Sequence, residues 1–124
     1  MSPELTPMPV IGIVDDDEDV RIALDALVAS IGYKSETFET ADALLASGRL
    51  SDLDCVVSDL QMPGTNGLSL ARHIQASRPV PVILITAFPA HGLDEQASAA
   101  GVRRLLRKPF NPLGLIDELE SIFG

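Results

Sequence analysis

Residues 10–21 read VIGIVDDDEDVR. A short apolar run meets five adjacent carboxylates, Asp15–Asp19. A helical pattern follows at once, with Val20, Leu24, Leu27, Val28 and Ile31 recurring at helix spacing. The stretch therefore predicts a buried strand, an acidic join and an amphipathic helix. Carboxylates packed this closely repel one another and raise each other's pKa values. Something must offset that repulsion: bulk water, a helix N-terminus or a bound cation.

The same strand-then-helix unit recurs along the chain. YKSETF (33–38) alternates polar residues and predicts a strand near a sheet edge. Thr40 caps a helix over ADALLAS, which Gly48 closes. DCVVSD (54–59) is a second buried strand, followed by the loop MPGTNG (62–67). The next helix is LSLARHIQAS, with Leu68, Ala71 and Ile74 on one face. VPVILIT (80–86) is the most apolar strand and is expected to lie centrally. GLDEQASAAG (92–101) predicts an Ala-rich helix, and RRLLR (103–107) a short strand. Asn111 and Pro112 start a last helix, with Ile116, Leu119 and Phe123 facing inward. Strand and helix thus alternate five times. Strands this apolar on both faces predict a parallel sheet covered by helices on both sides, a doubly wound α/β fold.

Bulk properties narrow the function classes. The chain has 124 residues, the length of one domain, and 46% are hydrophobic. The expected division is a flexible tail over residues 1–8 and one folded domain over 9–124. The prolines of MSPELTPMPV and its lack of a basic region and apolar core argue against a secretory signal. No apolar run approaches the roughly 20 residues needed to span a bilayer. The single cysteine, Cys55, excludes an internal disulfide and fits a reducing, cytoplasmic setting. The net charge of −9 argues against direct nucleic-acid binding. His73 and His91 have no partner at metal-ligand spacing.

In an open parallel sheet, ligands bind at the carboxyl ends of the strands. The first strand ends in Asp15 and Asp16, the third in Asp59, the fourth in Thr86 and the fifth in Lys108. Three carboxylates without His or Cys partners make a hard-oxygen site suited to Mg²⁺. That cation answers the repulsion at Asp15 and Asp16, while Asp17, Glu18 and Asp19 are favoured by a helix N-terminus, by about 0.3–1 kcal/mol each. An EF-hand is excluded by Val20 at its glycine position. A lysine, a hydroxyl and a metal around Asp59 make a phosphoryl-transfer site with a carboxylate nucleophile.

VDD (14–16), SDLQMPGTNGL (58–68), ITA (85–87) and KPF (108–110) together resemble the response-regulator receiver domains of bacterial two-component signalling. The resemblance covers about residues 8–124 and implies a flavodoxin-like (βα)5 fold. It implies that Asp59 accepts a phosphoryl group from a sensor histidine kinase or phosphotransfer protein. It further implies that Asp16 ligates Mg²⁺ directly, Asp15 acts largely through water and the Gln61 carbonyl is a further ligand. Thr86 and the Ala87 N–H are expected to hold the phosphoryl group, and Lys108 to bridge it to Asp59. The Lys108–Pro109 bond is expected to be cis. Such a domain catalyses only its own phosphorylation and dephosphorylation. Two positions bear on the family pattern. Leu105 stands where an aromatic switch residue is usual, so aliphatic repacking has to carry the signal to the fourth helix, fifth strand and fifth helix. Phe88 is bulky beside the site and is expected to shield it from water.

Two other readings compete. Asp15 and Asp17 form the D-x-D of an Mg²⁺-dependent aspartate-nucleophile phosphatase, but the chain lacks room for a cap over the substrate. A degenerate receiver that only binds partners is disfavoured by the complete acid, Thr86 and Lys108 set. Arg103, Arg104, Arg107 and Lys108, set between acidic helices, suggest a phosphorylation-dependent homodimer, since a two-fold interface is self-complementary.

Overall fold

The structure is a computed structural model that describes residues 8–88, 90–109 and 111–124. The expected tail over 1–8 therefore falls outside the described residues except for Met8. The elements run β1 (Val10–Val14), α1 (Glu18–Ser30), β2 (Lys34–Phe38), α2 (Ala41–Ser47), β3 (Cys55–Asp59), α3 (Gly67–Ser77), β4 (Val82–Thr86), α4 (Leu93–Ala99), β5 (Arg104–Arg107) and α5 (Pro112–Phe123). All four strand pairings are parallel, in the order β2-β1-β3-β4-β5. This is the doubly wound five-stranded fold that the alternation predicts. β3, not β4, is the central strand. β4 is nonetheless interior and buried along its length, so its apolar run marks burial on both faces rather than the midline.

Side chains alternate across a strand, so each strand feeds two cores. Ile11, Ile13, Cys55, Val57, Ile83 and Ile85 point to one face, under Leu24 and Val28 of α1 and Leu115 and Leu119 of α5. Val56, Val82 and Leu84 point to the other, under Leu44 of α2, Leu70, Ala71 and Ile74 of α3, and Leu93 of α4. Truncating one such buried leucine or isoleucine to Ala costs about 2–5 kcal/mol. Burial pushes the Cys55 thiol up to about 12, which fits an inert core residue.

Caps fall where the residue types put them. Asp17 accepts the N–H groups of Asp19 and Val20, Thr40 that of Ala43 and Asn111 that of Leu113. Three details depart from the sequence pattern. In α5 it is Leu115, not Ile116, that is fully buried with Leu119. In α3 Leu70 is buried beside Ala71 and Ile74, while Leu68 is only half-buried. A one-turn 3₁₀ helix, Leu50–Asp52, precedes β3. Its carbonyl end is held by Arg78, whose Nη1 donates to the carbonyls of Leu50, Ser51 and Leu53 at 3.2, 2.7 and 3.2 Å.

Candidate functional site

In the order β2-β1-β3-β4-β5 the chain winds in opposite senses on either side of the β1–β3 pair. That switch point opens a crevice at the carboxyl ends of the strands. Asp15 and Asp16 follow β1, Asp59 closes β3, Thr86 closes β4 and Lys108 follows β5. Carboxylate oxygens of Asp15, Asp16 and Asp59 lie within 4.8 Å of one another. Lys108 Nζ sits between the two buried acids, 3.6 Å from Asp15 Oδ2 and 3.5 Å from Asp59 Oδ1. The Lys108–Pro109 peptide is cis.

Asp15 and Asp59 are buried, 1% and 7% exposed, whereas Asp16 is exposed. Burial is the main reason the Asp15 carboxyl is held above the usual carboxylate range; the Asp17 N–H and the Lys108 charge pull it back. Burial also raises Asp59, the Asp15 charge raises it further, and Lys108 opposes both. Asp15 Oδ1 accepts the Asp17 N–H at 2.9 Å. Its Oδ2 is buried without a hydrogen-bond partner among the described residues. An orphaned carboxylate oxygen that converges with two others, with no nitrogen or sulfur ligand in the cluster, fits a hard divalent cation.

The backbone around Asp59 depends on Gly67. A Cβ at that position would lie 2.7 Å from the Asp59 carbonyl oxygen and 3.0 Å from Leu60 Cα. The Gly67 N–H also donates to the Leu60 carbonyl at 2.9 Å. Only glycine lets α3 start this close to the strand that carries the acid.

Thr86 is fully buried. Its hydroxyl donates to Gln61 Oε1 at 3.2 Å and accepts the Phe88 N–H at 3.1 Å. Ala87 follows it and is exposed. Phe88, expected to cover the site, is 71% exposed. Two further contacts support the crevice and were not legible as such. Arg21 Nη1 donates to the Asp15 carbonyl at 2.7 Å, tying α1 to the acidic turn. Asp42 Oδ1 accepts the Thr65 hydroxyl at 2.7 Å, which tethers the loop after Asp59 to the start of α2. A lone basic residue one turn into an acid-capped helix was the available signal for Arg21. Nothing in the sequence pairs Asp42 with Thr65.

On the α4–β5–α5 face, Arg103 Nε lies 2.8 Å from Glu118 Oε2 and Arg107 Nη2 lies 3.8 Å from Asp94 Oδ2. Part of the charge complementarity that suggested a homodimer is thus satisfied within one chain. Leu105 is half-buried against the core under α4.

A family model described as the response regulator receiver domain matches residues 11–120. The chain is 34% identical to the DNA-binding transcriptional regulator NtrC of Salmonella typhimurium, over 91% of this chain and 24% of that protein. It is 35% identical to the chemotaxis protein CheY-3 of Vibrio cholerae, over 90% of this chain and 88% of that one. The crystal structure of a response regulator receiver protein from Burkholderia phymatum superposes with a TM-score of 0.78 at 40% identity, covering 92% of this chain and 94% of that one. Against three transcriptional regulators it matches, the chain spans only 24%, 46% and 54% of their length.

Proposed function

The chain belongs to the response regulator receiver domain family, and from that premise we propose that Asp59 accepts a phosphoryl group from a sensor histidine kinase or phosphotransfer protein. The observation that carries this reading is the convergence of Asp15, Asp16 and Asp59 within 4.8 Å with Lys108 Nζ between the two buried acids. Asp16, Asp59 and the Gln61 carbonyl would hold Mg²⁺, with Asp15 acting largely through its water. When bound, the cation offsets the charge of the acids and of the phosphoryl oxygens.

The chain's own groups do the rest. An ionised Asp59 oxygen attacks phosphorus in line with the phosphohistidine nitrogen. The O–P bond forms as the P–N bond breaks, and the imidazole leaves with its electron pair. Lys108 follows the phosphoryl oxygens as their charge shifts onto Asp59. Thr86 and the Ala87 N–H donate to the transferred group. A groove of about 700 Å³, lined by Ala23, Leu24 and Leu27 of α1 with Pro109 and Pro112, opens beside Lys108. The protein so read is a switch whose product is a conformation, not a turnover enzyme. None of the described helices is long and apolar enough to cross a membrane, and the proposed setting is the cytoplasm.

Acetyl phosphate with Mg²⁺ should add one phosphoryl group, stable to acid and labile to base, visible by intact mass. Asp59→Asn should abolish the uptake. Equal labelling of that variant would assign the wrong acceptor, and continuous hydrolysis of a generic phosphate ester would favour a phosphatase instead.

A further inference from the structure

We infer that the Gln61 side chain is a latch on the Thr86 hydroxyl, a positioning role that sets how readily the phosphorylated state forms. This rests on Asp59 being the phosphoryl acceptor. A threonine hydroxyl has one proton to donate. In this structure that proton goes to Gln61 Oε1 at 3.2 Å, while the oxygen accepts the Phe88 N–H at 3.1 Å. The hydroxyl is fully buried, so water is not a ready substitute partner. To donate to a phosphoryl oxygen on Asp59, Thr86 must first release Gln61. Gln61 sits on the exposed loop after β3, and its amide can return to water once released. The cost of opening the latch therefore falls almost wholly on the unphosphorylated state. A side chain of similar length that accepts a hydrogen bond only weakly, such as methionine, leaves the Thr86 proton poorly paired in that state and removes most of the competition.

Gln61→Met keeps the backbone carbonyl and the length of the side chain. The probe is beryllofluoride, a phosphoryl mimic, titrated by calorimetry or fluorine NMR with saturating Mg²⁺. Gln61→Met should bind it roughly 2- to 12-fold more tightly than the parent chain, the range set by one neutral hydrogen bond of about 0.5–1.5 kcal/mol. The same substitution in a Thr86→Val background, where there is no hydroxyl to hold, should change the affinity less than about 1.5-fold, because coupling vanishes when one partner is gone. Unchanged or weaker binding by Gln61→Met, or an equal gain in the Thr86→Val background, overturns the latch. A merely structural role lowers the melting temperature without tightening the probe. Asp59→Asn is the separate control: if it binds beryllofluoride as well as the parent chain does, the acceptor assignment fails, whatever Gln61 shows.

Discussion

Replacing Asp59 with Asn removes one charge from the acidic cluster with almost no change in shape, and so isolates the cost of assembling it. The Asp15 and Asp59 oxygens lie within 4.8 Å. At that separation and an effective dielectric of about 20, their repulsion is about 3.5 kcal/mol. Asp16 is exposed, and in water-like surroundings its share is about 1 kcal/mol. Against these stands Lys108 Nζ, 3.5 Å from Asp59 Oδ1, an attraction of about 4.7 kcal/mol on the same scale. The charge terms nearly cancel. Burial then decides the sign, because taking a carboxylate out of water costs on the order of a few kcal/mol. Lys108 also keeps Asp15 as a partner after the change. Asp59→Asn should therefore stabilise the chain in chelator by about 1–3 kcal/mol, which raises Tm by about 4–12 °C for a domain of this size. Millimolar Mg²⁺ should raise the Tm of the parent chain and narrow the gap, since a ligand of the folded state adds stability by mass action. Scanning calorimetry with EDTA and with Mg²⁺ gives all four values. A variant that melts at or below the parent in EDTA refutes the claim that the buried acids are held at a cost.

The same cluster should leave a mark on the pH dependence. Asp15 and Asp59 have folded-state pKa values raised above the ordinary 3.8; their contribution is fully present below about pH 4 and is lost as pH rises through the folded values. In chelator, urea unfolding at stepped pH should show the parent losing stability relative to Asp59→Asn as pH rises from about 4 toward 7, and a constant difference would contradict it. Gly67→Ala should cost about 1–3 kcal/mol by overpacking against the Asp59 carbonyl, with slower labelling by acetyl phosphate; normal stability and rate would show that α3 shifts freely. Arg78→Met should cost about 1–2 kcal/mol through the three carbonyls it leaves at the 3₁₀ turn, with Mg²⁺ affinity unchanged, because that turn lies at the opposite end of β3 from Asp59. For the homodimer, sedimentation of the phosphorylated protein with and without Arg104→Glu is decisive: a monomer in both cases rejects association through the α4–β5–α5 face.

The frame was legible because strand burial and helix period are local signals. VIGIV, CVVSD and VILIT are apolar on both faces, and that alone distinguishes interior strands from β2, whose polar alternation marks an edge. The line between Leu115 and Ile116 was not legible, since adjacent aliphatic residues satisfy the same stripe and only the packed sheet selects one. The acids, Thr86 and Lys108 were legible because a parallel sheet brings the carboxyl ends of its strands together whatever the intervening sequence. The contacts of Arg21, Asp42 and the Gln61 amide were not. Each joins a side chain to a partner fixed by the tertiary fold, and short polar residues such as Asp42 and Thr65 suit many loops equally well. Phe88 shows the converse: its size suggested a shield, but size does not say how much of a loop side chain stays in solvent, and Phe88 is 71% exposed.

The acidic run that begins at Asp15 meets its repulsion in two different ways, and the difference is what makes the site responsive. Asp17 caps α1 by accepting the N–H groups of Asp19 and Val20, and Glu18 and Asp19 lie in its first turn, so these charges are favoured by the helix in every state of the protein. Asp15 and Asp59 are compensated less completely: each accepts one backbone N–H, from Asp17 and Leu60 respectively, but both are buried. Lys108 is shared between them at 3.6 and 3.5 Å, and Asp15 Oδ2 is left without a hydrogen bond among the described residues. A ligand shifts a conformational equilibrium only by the difference in its interaction with the two states. A cluster already satisfied by its own chain would offer little such difference. On the proposed reading a cation would relieve the buried acids, and a phosphoryl group on Asp59 would draw Lys108 and the Thr86 proton to itself, away from Asp15 and Gln61. On that reading the incomplete pairing is a property the switch needs, and the gain on Asp59→Asn in chelator measures its size.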